Sequence, residues 1–307
     1  MKNVTKTNVL FTSTVLVYII LMYSLQLVSF DKLSINMQLV IPEIILLIPA
    51  LVYVLVLRPK TLDGVSMSVV SPLTTFLTVI LTFCIMPLVM LINSLSSMIE
   101  GNAVDSTLNG LVQKNPIWLN LIIIALLPAV VEEFIFRGLI FNGYKKRNPL
   151  MAVLLSAFLF GLLHMNVNQF SYAFVMGIVF ALLAYATGSL LPSILGHFII
   201  NGTSVLMTHM ASTAKEPIAT EVKYDTITYI YSYAIIGIMA VAGAAIGYFV
   251  YKCICNKNRG FENVKRIFQK PRRSEYVEEE GKFLDGYLIL GMGICVLHMV
   301  LRLLSVQ

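Results

Sequence analysis

Charge is scarce in this sequence. Only 12% of its 307 residues are Asp, Glu, Lys or Arg, about half the share of a soluble domain. That is too little to clothe a water-soluble globule, and long apolar runs recur instead. The ordinary soluble classes are excluded, and the expected fold is an all-α polytopic membrane bundle. Cysteine is scarce as well. Cys84, Cys253, Cys255 and Cys295 have neither zinc-site nor disulfide-framework spacing. No cleavable signal peptide is expected, because the first apolar run, 9–30, is too long for one and no small-x-small site follows it. No internal repeat and no separate soluble domain breaks the pattern, so 1–307 reads as one membrane domain.

The net charge of +6 then reads as loop asymmetry and not as a nucleic-acid footprint. Nine apolar segments stand out, at 9–30, 37–57, 69–92, 117–144, 149–165, 171–187, 190–209, 227–251 and 283–304. The fifth is short, and only Gly188-Ser189 splits the sixth from the seventh, so eight or nine helices span the membrane. With the N-terminus in the cytoplasm, sixteen Lys and Arg residues fall in inner loops and four (Lys32, Lys114, Lys215, Lys223) in outer ones. That distribution obeys the positive-inside rule. The expectation is a multi-pass protein of a bacterial cell membrane. The inner loop 252–282 holds nine of the basic residues, and Phe261, Val264, Ile267 and Phe268 recur there at helical spacing. The pattern fits a short helix on anionic lipid, and because Pro271 ends the pattern early a solvated basic linker fits equally. Glu278-Glu279-Glu280 reads as a solvated acidic patch. Gly243-x-x-x-Gly247 predicts close helix packing.

Against this background, ionisable residues within the apolar runs stand out. A charge at the bilayer centre costs roughly 2.5–3.5 kcal/mol on insertion scales. Glu132, Glu133 and Arg137 share one run, His164 ends the next, and His197 lies two runs later with Asn201 one turn beyond it. Helix rise puts Glu132 about 18 Å from the end of its run near Tyr144, His164 about 22 Å from Pro149 and His197 about 10 Å from Leu190. All three can meet in one cytoplasm-facing cavity. Glu133 and Arg137 are spaced i,i+4 with the acid first, the better orientation for an ion pair. Glu132 points about 100° away and is left without a local partner, which suits a general base. His197 and Asn201 share a face and can donate to a developing oxyanion; alternatively the imidazoles can ligate a metal with Glu132. Pro128 and Pro192 can open the backbone near these residues and admit water. Glu43, His209 and His298 read as edge or packing residues.

The three groups Glu132-Glu133-x-x-x-Arg137, Phe160-x-x-x-His164 and His197-x-x-x-Asn201 together resemble the CPBP family. That family comprises the CAAX prenyl proteases of the Ras-converting type and the bacteriocin-processing and immunity proteins once called Abi. The resemblance covers about residues 117–208, and Phe-Ile-Phe-Arg-Gly at 134–138 fits the family's aromatic-rich stretch ending in Arg-Gly. It implies an intramembrane endopeptidase in which Glu132 and His164 activate water and His197 and Asn201 stabilise the oxyanion. Glu133, Arg137 and Phe160 would be structural supports.

The family is called metalloprotease, so zinc on Glu132, His164 and His197 is one implied mechanism. The ligand set is thin, and a metal-free, glutamate-activated water is the other. The substrate class would be a membrane-associated peptide, either a prenylated CAAX tail or a bacterial peptide precursor. A non-catalytic role, such as a bacteriocin-immunity factor or a scaffold, is the alternative. A transporter fits less well, since there is no repeat and no second carboxylate-bearing helix in the core.

Overall fold

The computed structural model describes residues 3–28, 30–57, 66–100, 115–213, 226–265, 267 and 281–306. Its elements are helices: α1 (Asn3–Leu27), α2 (Ile35–Leu57), α3 (Pro72–Glu100), α4 (Ile117–Lys145), α5 (Pro149–Leu163), α6 (Val167–Thr187), α7 (Leu191–Thr213), α8 (Thr226–Asn258), the short α9 (Phe261–Lys265) and α10 (Gly286–Val306). Among the described residues, eight helices are long and apolar enough to cross a bilayer. The exception among the nine expected segments is α5. Its 15 residues reach about 22 Å, short of a hydrocarbon core of about 30 Å. The polytopic helical bundle read from the sequence is therefore the observed fold.

Local chemistry sets the breaks between helices. Asn148 accepts from Met151 N at 3.0 Å and Pro149 follows it, so α5 starts there. Asn166 accepts from Gln169 N at 2.8 Å and starts α6. Gly188, at φ 70°, ends α6 in the left-handed conformation that glycine adopts without strain. This turn separates α6 from α7, and Leu190 N donates to Ser66 O (2.8 Å) while Ser189 Oγ donates to Ser68 O (2.7 Å). The residues leading into α3 are thereby tied to the α6–α7 turn.

The bundle is apolar outward as well as inward. Leu55, Val56, Val241 and Phe249 are exposed, as lipid-facing side chains are. α4 is the most buried span and α10 the least. Tyr144 and Phe136 of α4 pack with Phe11 of α1 and Leu46 of α2 in the main core. A second cluster joins α3, α6, α7 and α8 through Leu81, Phe180, Ile200 and Ile254. Val264 joins that second cluster and Ile267 joins the first. Two of the four apolar residues in the 261–268 pattern, Val264 and Ile267, are thus buried in the protein, and among the described residues of that pattern Phe261–Lys265 is α-helical. Residues 266 and 268–280, with Pro271 and the acidic run, lie outside the described residues, as do Arg58, Lys60, Lys114, Lys215 and Lys223.

The packing expected of Gly243 and Gly247 is present. A Cβ on Gly243 would collide with the Cys84 carbonyl of α3, and one on Gly247 would lie 3.3 Å from Leu81 Cδ1. A Cβ on Gly237 of the same helix would meet nothing within 4 Å. Gly243→Val should therefore cost about 1–3 kcal/mol and lower the thermal midpoint in detergent, whereas Gly237→Val should leave it within error; equal midpoints for the two variants would contradict this packing.

Candidate active site

The site is built on an irregular helix. α4 alternates α-helical turns with π-helical turns at Leu121–Leu126 and Phe134–Phe141, and the α-helical stretch Leu127–Glu133 between them carries both glutamates. Wide turns of this kind re-aim side chains and leave carbonyls to be satisfied from elsewhere. Pro128 has no N–H to offer the Ile124 carbonyl four residues back, and Asn201 Nδ2 of α7 donates to that carbonyl at 3.4 Å. Asn142 Nδ2 donates to the carbonyls of Arg137 (3.1 Å) and Gly138 (2.8 Å). The proline expected to admit water thus also draws Asn201 onto the backbone, with one of its two amide hydrogens.

Glu133 is the hub. It is fully buried, and its Oε1 accepts from Arg137 Nη1 at 2.8 Å. The same oxygen lies 3.1 Å from His197 Nδ1. A carboxylate can only accept, so Nδ1 carries the proton and donates. This fixes the imidazole from behind and leaves Nε2 facing Glu132, whose Oε2 lies 3.6 Å away. The ring stacks on Phe180 of α6, with centroids 5.4 Å apart and planes 19° apart.

Phe160 organises the remaining groups. Its ring meets His164 edge-on at 5.3 Å, His197 at 5.9 Å and Phe136 at 5.1 Å. The Arg137 guanidinium lies 4.5 Å from the same centroid and 5.4 Å from that of Phe180. Desolvated contacts of this type are worth about 2 kcal/mol and help hold a fully buried cation. Gly177 makes room, because a Cβ there would lie 2.9 Å from Ala157 and 3.2 Å from Arg137 Nη2.

His164 caps the end of α5. Met165, next in the chain, has φ 50°, a left-handed conformation that costs a non-glycine residue about 1–2 kcal/mol. Glu100 of α3 holds this turn, accepting from Asn166 Nδ2 (2.9 Å) and Val167 N (2.6 Å) and pairing with Arg302 of α10.

The structure therefore brings Glu132, Glu133, Arg137, His197, Phe160 and His164 together, and sets Asn201 one turn beyond His197 against α4. Sequence reasoning passed over three participants. Glu43 of α2 and Tyr18 of α1 come within electrostatic reach of Glu132, although Glu43 had read as an edge residue. Glu100 positions the His164 turn from 66 residues away in sequence. No local spacing connects any of these to the motifs.

Two further expectations are met differently. A cavity of about 220 Å³ opens near Lys145 and reaches Arg137, but Glu132, His164, His197 and Asn201 do not line it. A zinc ion would need its ligands within about 2.0–2.2 Å of one point. Among the described residues no group of three His, Cys, Asp or Glu side chains is arranged to hold a metal. The Glu132, His164 and His197 set, as placed, does not fit one.

Residues 114–203 match the family described as type II CAAX prenyl endopeptidase Rce1-like. The chain is also 32% identical over 90 residues to a Bacillus subtilis (strain 168) protein named "Putative membrane peptidase YdiL". That match covers 29% of this chain and 37% of the relative, so the two share about a third of their length. No solved structure matches the chain. All three motif groups fall within the matched residues. The resemblance is borne out there: residues 114–203, which hold all three groups, are similar to the Rce1-like family.

Arg137→Met should cost about 3–5 kcal/mol by leaving the buried Glu133 carboxylate without its cation, and the double variant Glu133→Gln/Arg137→Met should recover part of that loss. Thermal unfolding of the purified variants measures it. A double variant less stable than Arg137→Met would show that the pair is not what burial of these charges depends on.

Proposed function

We propose that the protein is an intramembrane endopeptidase that hydrolyses a peptide bond in a membrane-associated substrate. The observation that carries this reading is the division of labour between adjacent glutamates. Glu133 is occupied by Arg137 and His197, while Glu132 keeps its carboxylate beside the open nitrogen of the same imidazole. The Rce1-like match over the same residues supports it, as does a relative named as a membrane peptidase.

In this mechanism Glu132, assisted by His164, whose ring meets Phe160 as that of His197 does, takes a proton from water as the hydroxyl oxygen bonds to the scissile carbonyl carbon. The carbonyl π electrons move onto oxygen. Glu132 passes the proton to His197 Nε2, which then donates to the oxyanion together with the second amide hydrogen of Asn201. Collapse of the tetrahedral intermediate expels the amine, which leaves with that proton. Glu133 holds the imidazole in register throughout and Arg137 holds Glu133. The substrate is a prenylated CAAX tail or a bacterial peptide precursor, both of which present an extended peptide at the bilayer edge. No step calls on a metal, so turnover should survive chelation. Loss of turnover restored by added zinc would instead favour zinc held by Glu132, His164 and His197.

Glu132→Gln should lower cleavage of a membrane-anchored peptide by about 10²–10⁴-fold with the thermal midpoint preserved, and His164→Ala and His197→Ala should lower it as well. Undiminished cleavage by Glu132→Gln would contradict this mechanism. A scaffold or immunity protein would keep its partner and its function in that variant.

A further inference from the structure

The two histidines of the site are held in different ways. The His197 ring is fixed by a hydrogen bond to Glu133 and by stacking on Phe180. The His164 ring meets Phe160 edge-on, and among the described residues it makes no hydrogen bond. Its aim is therefore set by the backbone that carries it. That backbone is the link His164-Met165-Asn166 between α5 and α6. Met165 sits there at φ 50°, and a left-handed residue with a side chain persists only where its surroundings over-determine it.

Glu100 of α3 supplies the constraint, and both of its oxygens are engaged. Oε1 accepts from Asn166 Nδ2 (2.9 Å) and pairs with Arg302 Nε, and Oε2 accepts from Val167 N (2.6 Å). Val167 opens α6, so its N–H is one of those a helix leaves unpaired. The carboxylate also lies at the positive end of that helix. The Glu100 side chain is 1% exposed. A carboxylate so shielded needs a cation, and Arg302 provides it. Arg302 comes from α10. The first half of α10 is braced on α1, where Thr12 Oγ1 donates to Tyr287 O at 2.6 Å and a Cβ on Gly291 would lie 3.1 Å from Phe11 Cδ1. Farther along, Val296, Leu297, Val300 and Leu301 face outward, and Arg302 ties this half to α3 and to the α5–α6 link. Both α3 and α10 lie outside the matched residues 114–203.

We propose that Arg302 is a positioning residue for hydrolysis: through Glu100 it holds the His164-Met165-Asn166 link and so aims the His164 imidazole at the water that Glu132 activates. This rests on the endopeptidase reading. The cation keeps the carboxylate in place against Asn166 and Val167. Without it Glu100 turns toward water, both bonds to the link are lost, and Met165 relaxes to a negative φ. His164 then leaves its place beside Phe160. A displacement of about 1 Å in a reacting geometry costs about a hundredfold in rate.

The test uses the purified full chain in detergent with two readouts. One is amide hydrogen exchange at residues 164–168, read by mass spectrometry. The other is kcat and KM for a membrane-anchored peptide. Arg302→Gln should speed exchange in the link about tenfold and lower kcat about ten- to a hundredfold, with KM within about twofold. Arg302→Lys keeps the cation and should recover most of both. In a His164→Ala background, Arg302→Gln should lower kcat no further, because its effect passes through His164. Glu100→Gln leaves no buried charge unpaired. It should speed exchange in the same residues, and it serves if Arg302→Gln fails to fold. Lys32→Gln removes an exposed cation and should change neither readout. Unchanged exchange in Arg302→Gln or Glu100→Gln, an equal loss of kcat with and without His164, or a rise in KM with kcat preserved would overturn the proposal. A wild-type chain that cleaves no peptide, with exchange altered as stated, would overturn the endopeptidase reading while supporting the hold of Arg302 and Glu100 on the turn.

Discussion

One carboxylate oxygen holds the core of this protein together. Glu133 Oε1 accepts from a guanidinium on its own helix and from an imidazole two spans away. At the depth of a lipid bilayer neither the acid nor the arginine is tolerable alone, so the pair must form. Once formed, it gives α7 a fixed point on α4. The aromatic faces of Phe160 and Phe180 complete the arrangement by lying against Arg137 on one side and His197 on the other. Rigidity of the site follows from that shared oxygen, and the neighbouring acid, Glu132, is left free because Glu133 is not.

Backbone irregularity in α4 follows the same economy. A regular α-helix through Pro128 would leave the Ile124 carbonyl without its usual donor in a medium that offers no water. The chain resolves this with π-helical turns and side-chain amides, Asn201 at one end and Asn142 at the other. The residues that satisfy the backbone are therefore the residues that define the site's edges. At the opposite end of α5, Glu100 and Asn166 hold a left-handed Met165 in place, so His164 is presented from a fixed turn rather than from a fraying helix end.

Much of this was legible in the sequence, for reasons that can be named. The Glu133–Arg137 pair followed from i,i+4 spacing, the close packing of α8 from Gly243 and Gly247, and the membrane class from the scarcity of charge. What escaped notice depended on contacts between distant segments. Nothing local tells that His197 will meet Glu133, 64 residues earlier, or that Glu43 and Tyr18 will lie near Glu132. The apolar face of 261–267 has the periodicity of a lipid-bound helix, but periodicity cannot distinguish lipid from the bundle's own core. The cavity, assembled from four separate segments, left no pattern in any one of them.

The central claim is that Glu133 orients His197 through Nδ1 and so aims Nε2 at Glu132. Its most direct test is the protonation state of the His197 ring nitrogens, read by ¹⁵N magnetic resonance on histidine-labelled protein in bilayers and assigned by loss of the signal in a His197→Gln control. The account predicts a proton on Nδ1, hydrogen-bonded to a carboxylate. A bare Nδ1 with the proton on Nε2 would contradict it.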